Sequence, residues 1–429
     1  MALNEKKALI VGGGASGVLT AIHLLRSEAK LDIDLAEPND QLGLGIAYST
    51  TDFAHLLNVP AAKMSALFDE PDHFMKWADA RPDQFVPRAL FGEYLEETLE
   101  ESIMRAREEK IFTHLAATAT SVTRSGSGWS VTFSDGAVGE YQVVVIATGN
   151  GDVNVHSIFR VLDGNPRVVA DVWGTSVPKD YNKIAILGTG LTFVDQAISI
   201  LNANPTAEVF GISRDGLIPF PHTKPEISIS ADDLEFPTAR SIVDFINSYK
   251  ENWREAQDSL RSRFQMIWHK LPETEKNIFV DIYLSWWKNH RHRIAEPVYN
   301  DIARYLNDKR LHVMKGRVED FELVDESIRL TLTRGEILYV DAILNCTGNQ
   351  YEVTNPLLKD LIAQGTLAPG PLDFGIACDI KTLALKGGDG SVQSGLFGLG
   401  PVLVGELFET TAIPEIRTQA WIIASQLAK

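Results

Sequence analysis

Two glycine fingerprints, 176 positions apart (188 − 12), constrain this chain more than any other feature. The first is Gly12-x-Gly14-x-x-Gly17. It follows the apolar run Ala8–Val11 and opens a helix-like stretch, Val18–Leu25. The second, Gly188-x-Gly190, has the same setting, with a strand before and a helix after. A strand ending in such a turn aims the first N–H groups of the next helix at a pyrophosphate. The glycines allow the tight turn, the close approach of the phosphates and close helix–strand packing. Ala15 and Ser16 stand in the first turn and belong to the same cradle. Two fingerprints imply two dinucleotides, and a flavin nucleotide beside a nicotinamide nucleotide makes a redox enzyme.

The first fingerprint has a complete context. A second strand, Leu31–Ala36, ends in Glu37, 20 residues past Gly17, where a carboxylate accepts from ribose hydroxyls. The second is less complete. Phe193 stands where a third glycine would be, so helix and strand are expected further apart. The following strand-like run, Ala207–Ile212, ends in Ser213-Arg214 with no acid at its end. An Arg there can pair with a 2′-phosphate, which a carboxylate would repel. That favours NADPH and leaves NADH open, and Asp215 next door works against it.

A domain plan repeats. Val143–Ile146 runs into Ala147-Thr148-Gly149, and Ala342–Asn345 runs into Cys346-Thr347-Gly348. Small residues at these strand ends let backbone approach a cofactor, so Thr148, Gly149, Thr347 and Gly348 join the candidate sites. The fold class is therefore α/β, with two Rossmann-like dinucleotide-binding domains. Residues 1–171 and 335–429 form a discontinuous flavin domain, and 172–334 a nicotinamide domain.

Within the second domain, 238–312 reads as helix after helix and holds four of the eight tryptophans, as a helical insertion would. Its WWKNHRHR stretch makes His290, Arg291 and Arg293 candidates for the substrate or nicotinamide pocket. A charged helix face over an apolar base is the other reading. The last stretch returns to the first domain. It has a strand ending at Gly400, then Thr410, then a helix from Pro414 whose N-terminus suits the flavin edge.

Composition narrows the functions. The net charge of −17 and the absence of a basic block argue against nucleic acid and anionic membranes as partners. No apolar run approaches the ~20 residues a membrane helix needs, and the N-terminal residues lead straight into a strand. No signal peptide is expected, and a cytoplasmic location fits. The two cysteines, Cys346 and Cys378, form no Cys-x-x-Cys, and the histidines form no metal-binding pattern.

The order of these motifs resembles the flavoproteins with two dinucleotide-binding domains, which include flavin-containing monooxygenases and pyridine nucleotide–disulfide reductases. HLLNVPAAKMSA, FVPRALFGEYL, ILGTGLTFVD, SRDGLIP, HRHRIAEPV and FETTAIPEIRTQA resemble, more narrowly, a bacterial family of FAD/NAD(P)-binding proteins. The resemblance spans nearly the whole chain and implies FAD and NADPH as cofactors. It is similar to N-hydroxylating monooxygenases in its Asn58-Val59-Pro60 segment, which implies that Asn58 lies near the flavin's reactive edge. Met64 and Ser65 would line the same pocket and Arg88 would support the cofactors, while Gly45, in the loop after the second strand, is a further cofactor-binding candidate. Gly400-Pro401 departs from the Gly-Asp of disulfide reductases, and no redox cysteine pair is present.

The chemistry so implied is hydride transfer from NADPH to flavin. Reaction with O2 through a C4a-hydroperoxyflavin would then oxygenate an amine- or sulfur-containing metabolite. Two alternatives remain open: a flavin oxidoreductase without oxygen insertion, and an FAD-holding redox protein that turns over poorly.

Overall fold

The computed structural model describes residues 6–175 and 177–429. The first unit opens with β1 (Lys7–Val11) and β2 (Asp32–Ala36), joined by the helix Ala15–Arg26. After the long helix Arg88–Ala106 comes β3 (Phe112–Leu115). An antiparallel meander follows, made of β4 (Ala119–Ser125), β5 (Gly128–Phe133) and β6 (Val138–Tyr141), before β7 (Val143–Ile146) rejoins the sheet. The second unit holds β8 (Val168–Val169), β9 (Lys183–Leu187), the helix Leu191–Ala203 and β10 (Glu208–Ser213). Helices then run to Asn307, followed by β11 (Leu311–Lys315). A second meander, β12 (Val318–Val324), β13 (Ser327–Leu332) and β14 (Ile337–Val340), precedes β15 (Ala342–Asn345). β16 (Ala384–Lys386) and β17 (Val392–Gly398) close the first sheet.

The repeat extends to strand order. One sheet runs β16-β17-β7-β1-β2-β3, the other β11-β10-β9-β15-β8. In each, the fingerprint strand lies parallel between the next strand and the one that follows the meander. Ile10 faces Leu35 and Val145 across β1, and Ile186 faces Gly211 and Leu344 across β9. All four β7 residues are buried, as are all four of β15, which explains their uninterrupted apolar runs.

Strand pairing corrects the expected boundaries. β8 and β15 both hydrogen-bond into the second sheet, so that unit reaches back before 172 and on past 334. The helical insertion ends earlier than 312. Val298, Ile302 and Tyr305 of the helix Glu296–Asn307 pack into the core of the second sheet, because that helix is the crossover into β11. The insertion proper has its own core of Phe264, Trp268, Phe279 and Trp287, shared with Phe374, Val404 and Phe408 from the chain's last third. Trp268 stacks on Phe408 at 4.4 Å.

Each fingerprint helix ends on a cation from far along the chain, buried Lys110 for the first and half-buried Arg310 for the second. Lys110 Nζ donates to the carbonyls of Leu24, Leu25 and Ser27 at 2.6, 3.1 and 2.5 Å. Arg310 donates to those of Leu201, Asn204 and Ala207 at 2.9, 2.5 and 3.2 Å. These carbonyls include the orphan acceptors and the negative pole of the helix. Lys110→Met removes all three donors at a site the ammonium fills. It is expected to cost about 1–3 kcal/mol, read as a lowered urea midpoint.

Candidate functional site

The first fingerprint is built as a cradle. A Cβ on Gly12 would sit 2.6 Å from the carbonyl oxygen of Ala147, the residue before Thr148 and Gly149, and Gly12 has a φ of +105°. Gly17 lies against the Gly12 carbonyl, and Gly14 lies beside Gly45 of the neighbouring loop. No side chain caps the first turn of Ala15–Arg26, and none caps the second fingerprint helix, Leu191–Ala203. By contrast, Thr238 and Asn355 cap other helices with their side chains. Two uncapped helix N-termini, each beginning at a glycine turn, leave N–H groups for an anionic ligand. Half-buried Glu37 accepts from the Gly13 N–H at 2.9 Å and from the Asn39 amide at 2.7 Å. A carboxylate has acceptor capacity left for ribose hydroxyls. These residues fit an FAD pyrophosphate and ribose.

The second fingerprint opens on a cavity of about 700 Å³, a size suited to a ligand. Gly188, Gly190, Arg214, Thr347 and Gly348 all line it. Phe193 does not line it. Its buried ring lies over Gly211 of β10, 2.5 Å from where a Cβ would be, so a glycine on the strand makes the room that the helix lacks. Arg214 is exposed and donates to Ser285 Oγ at 3.2 Å. Arg317, which the sequence reading missed, joins it at one end of the cavity, and its guanidinium has no partner among the described residues. Its signal was weak: a single Arg two residues past β11, meaningful only once β11 lies beside β10. If this pair reads a 2′-phosphate, Arg214→Ala with Arg317→Ala should raise the KM for NADPH about 10–100-fold and leave that for NADH unchanged in steady-state assays.

Several expected site residues are placed elsewhere. Met64 and Ser65 are interior. The Ser65 hydroxyl donates to the Glu70 carbonyl at 2.7 Å and accepts from the Leu67 N–H at 3.1 Å, closing a turn packed under Tyr94. Thr410 is 0% exposed, and its hydroxyl joins the Gly400 carbonyl to the Gln419 amide. It positions the loop rather than facing a ligand. Gly400 itself abuts Ser16, whose Oγ lies 2.6 Å from where a Cβ would be. Arg88 bridges the two units: its Nη1 lies 3.0 Å from Asp195 on the second fingerprint helix, and its Nε donates to the Leu56 carbonyl. Burial raises the Asp195 carboxyl against the pull of Arg88.

The basic stretch divides as well. His290 and Arg291 lie outside the residues lining the cavity, and so does Arg293. The His290 ring packs on Trp286, with centroids 4.0 Å apart. Arg291 pairs with Glu409 at 3.1 Å, and Arg293 with Asp258. Lys288, Asn289 and His292 line the cavity instead. Helical spacing selects a face but not what the face meets. Half-buried Asn58 receives a 3.0 Å hydrogen bond on its backbone carbonyl from His222 Nε2, while its carboxamide has no partner among the described residues.

Residues 9–151 match the model of the FAD-NAD(P)-binding family. Among curated proteins, the chain is 23% identical over 254 residues to the uncharacterized protein YdhS of Escherichia coli (strain K12), covering 50% of this chain and 46% of that protein. It is 26% identical over 238 residues to the monooxygenase ptmN of Penicillium ochrochloron, covering 52% and 37%. The chain thus spans less than half the length of the curated relatives it matches. Three solved structures share the fold. The cadaverine monooxygenase DfoA of Erwinia amylovora gives a TM-score of 0.67 at 14% identity, covering 100% of this chain and 95% of that one. The ornithine hydroxylase PvdA of Pseudomonas aeruginosa gives 0.66 at 15%, covering 99% and 98%. The bacillithiol disulfide reductase Bdr of Staphylococcus aureus gives 0.60 at 13%, covering 98% and 98%.

Proposed function

We propose that this chain is an FAD-dependent, NADPH-using monooxygenase that oxygenates a small amine- or sulfur-containing metabolite. The observation that carries the reading is the doubled cradle: two sheets, in each of which a central strand with parallel neighbours runs into an uncapped fingerprint helix, within a fold shared with amine-hydroxylating flavoproteins. Bound flavin supplies hydride acceptance and activation of O2.

The chain's own residues do the rest. The amides of Ala15, Ser16 and Gly17 hold the FAD pyrophosphate, and Glu37 its ribose. Thr148 and Gly149 let backbone approach the cofactor, with Gly400 packed against Ser16. Gly188, Gly190, Thr347 and Gly348 receive NADPH, and Arg214 with Arg317 selects its 2′-phosphate. Asn58 offers a free carboxamide for orienting the reacting groups. Arg88, through Asp195, fixes the distance between the two units. Thiol chemistry is disfavoured. Cys346 and Cys378 are both buried and unpaired, and burial pushes both thiols above their ordinary range.

The test is the visible spectrum of the purified protein before and after anaerobic NADPH, then NADH, then O2. A yellow protein bleached by NADPH, with a transient oxygenated-flavin absorbance on adding O2, supports the reading. Bleaching without that transient leaves a flavin oxidoreductase. A colourless protein that takes up no FAD overturns it.

A further inference from the structure

The helical insertion forms one wall of the cavity at the second fingerprint. Ser285, Lys288 and Asn289, from the helix Leu284–Arg291, line that cavity together with His292 just past its end. Lying three, four and seven positions beyond Ser285, the other three share its helix face. A widened turn aims that face. Phe279 and Trp287 are eight positions apart (287 − 279), yet both are buried in the insertion's core. Two ordinary helical turns take about seven residues. The π-helical segment Phe279–Tyr283 takes up the extra one. Trp287 thereby returns to the core, and the polar residues around it face the cavity.

This wall runs along the cavity from its arginine end. Ser285 accepts from Arg214, and both also line the smaller recess that Arg317 shares. Lys288 lies outside that recess, about 4–5 Å further along the helix. Its ammonium lies 4.8 Å from the centre of the Tyr351 ring, three positions past Gly348. On the same helix Arg291 pairs with Glu409 of the closing segment. The helix therefore leads from the arginine end toward the first unit. Among the described residues, three cations line the cavity, Arg214, Arg317 and Lys288, against one carboxylate, Asp215. The two arginines and Asp215 share one end. Lys288 alone supplies positive charge to the rest. It is half-buried and makes no hydrogen bond or ion pair among the described residues. Its neighbours are neutral. The Asn289 amide donates to the Ser285 carbonyl at 2.9 Å, and burial lowers the His292 imidazole to about 4.

We propose that Lys288 is a nucleotide-binding residue: its ammonium pairs with the pyrophosphate of the nicotinamide nucleotide, from the wall opposite the second fingerprint. The fingerprint meets that double negative charge with amide dipoles alone. An ammonium on a flexible stem adds the missing point charge. The insertion is then part of the nucleotide site, and its helix closes on the ligand from outside the sheet. The inference rests on reading this cavity as the nicotinamide-nucleotide site; it does not depend on oxygen insertion. Its consequence separates Lys288 from the arginines. A pyrophosphate is common to NADP+ and NAD+, whereas the 2′-phosphate belongs to NADP+ alone.

The experiment is calorimetric titration of the FAD-loaded full chain with NADP+, NAD+ and adenosine 2′-monophosphate at constant ionic strength. Lys288→Met should weaken NADP+ and NAD+ by the same factor, about tenfold, as the loss of one charge-assisted hydrogen bond does. It should leave adenosine 2′-monophosphate, which has no pyrophosphate, unchanged. Lys288→Arg keeps the charge and should restore binding. Lys30→Met, which removes an exposed charge in the loop before β2, serves as control. In NADPH reduction of the flavin, Lys288→Met should raise KM and leave the limiting rate as it was. The proposal fails if Lys288→Met binds both dinucleotides as well as the parent, if only NADP+ is weakened, or if Lys30→Met weakens them equally. Dinucleotide binding that depends on Lys288, without reduction of the flavin, sinks the oxygenase reading alone. Flavin reduction with an oxygenated-flavin transient and an unchanged KM in Lys288→Met sinks this inference alone. A parent that binds neither dinucleotide overturns both.

Discussion

Gly17→Ala yields a destabilised protein that carries no FAD. The added Cβ would lie 1.9 Å from the Gly12 carbonyl oxygen and 3.3 Å from Ile10 Cγ2. The first obstacle is backbone of the same turn, so the helix must lift from β1. Overpacking of this kind costs about 1–3 kcal/mol. It also displaces the amides that receive the pyrophosphate. Gly14→Ala separates the two effects. Gly14 has φ −69° and ψ −173°, which alanine adopts freely, and its Cβ would meet only the Gly45 Cα at 3.6 Å. Stability should hold within about 0.5 kcal/mol, while FAD affinity falls because the methyl group occupies the phosphate's approach. The readouts are the flavin-to-protein absorbance ratio after incubation with FAD and the urea midpoint. A fully yellow Gly17→Ala protein of unchanged stability would refute the cradle.

Glu409→Gln loosens the joint between the insertion and the closing segment. The Glu409 carboxylate pairs with Arg291 and accepts from Trp287 Nε1 at 2.7 Å, while its backbone carbonyl accepts from Gln265 at 2.6 Å. The next residue, Thr410, holds Gly400 against Ser16. Losing the charge strands Arg291, whose side chain is 12% exposed, and is expected to cost about 3–5 kcal/mol. The pH dependence follows from the direction of the shift. Burial raises the Glu409 carboxyl, but Arg291, His292 and the Trp287 bond outweigh it, leaving the carboxyl below the usual glutamate range. A depressed folded value gives stability that is present above the unfolded pKa of about 4.3 and lost as pH falls through the folded value. The gap in melting temperature between parent and variant should therefore be wide at neutral pH and narrow below about pH 4. A gap independent of pH would assign Glu409 a packing role only.

The strand–turn–helix units were legible in the sequence because they are local. Gly12, Gly14 and Gly17 act within one turn, and Glu37 ends the very next strand. The apolar periodicity behind Val143–Ile146 and Ala342–Asn345 records burial on both faces of a sheet, so the repeat could be read without coordinates. What the side chains of Arg88, Arg291 and Thr410 meet could not. Arg88 finds Asp195 107 positions away (195 − 88), and Arg291 finds Glu409 118 positions away (409 − 291). No spacing rule encodes such distances. The same applies to Lys110 and Arg310, which look like ordinary surface cations until each helix end is brought to them. Met64 and Ser65 are held inside by contacts as distant, since Tyr94 accepts from the Ala66 N–H and Arg417 donates to the Ser65 carbonyl. Sequence determined the two cradles, since backbone sterics and hydrophobic period act over a few residues. Tertiary structure alone decided which charges are paired and which stay free, since a cation's partner depends on which distant elements the fold brings together.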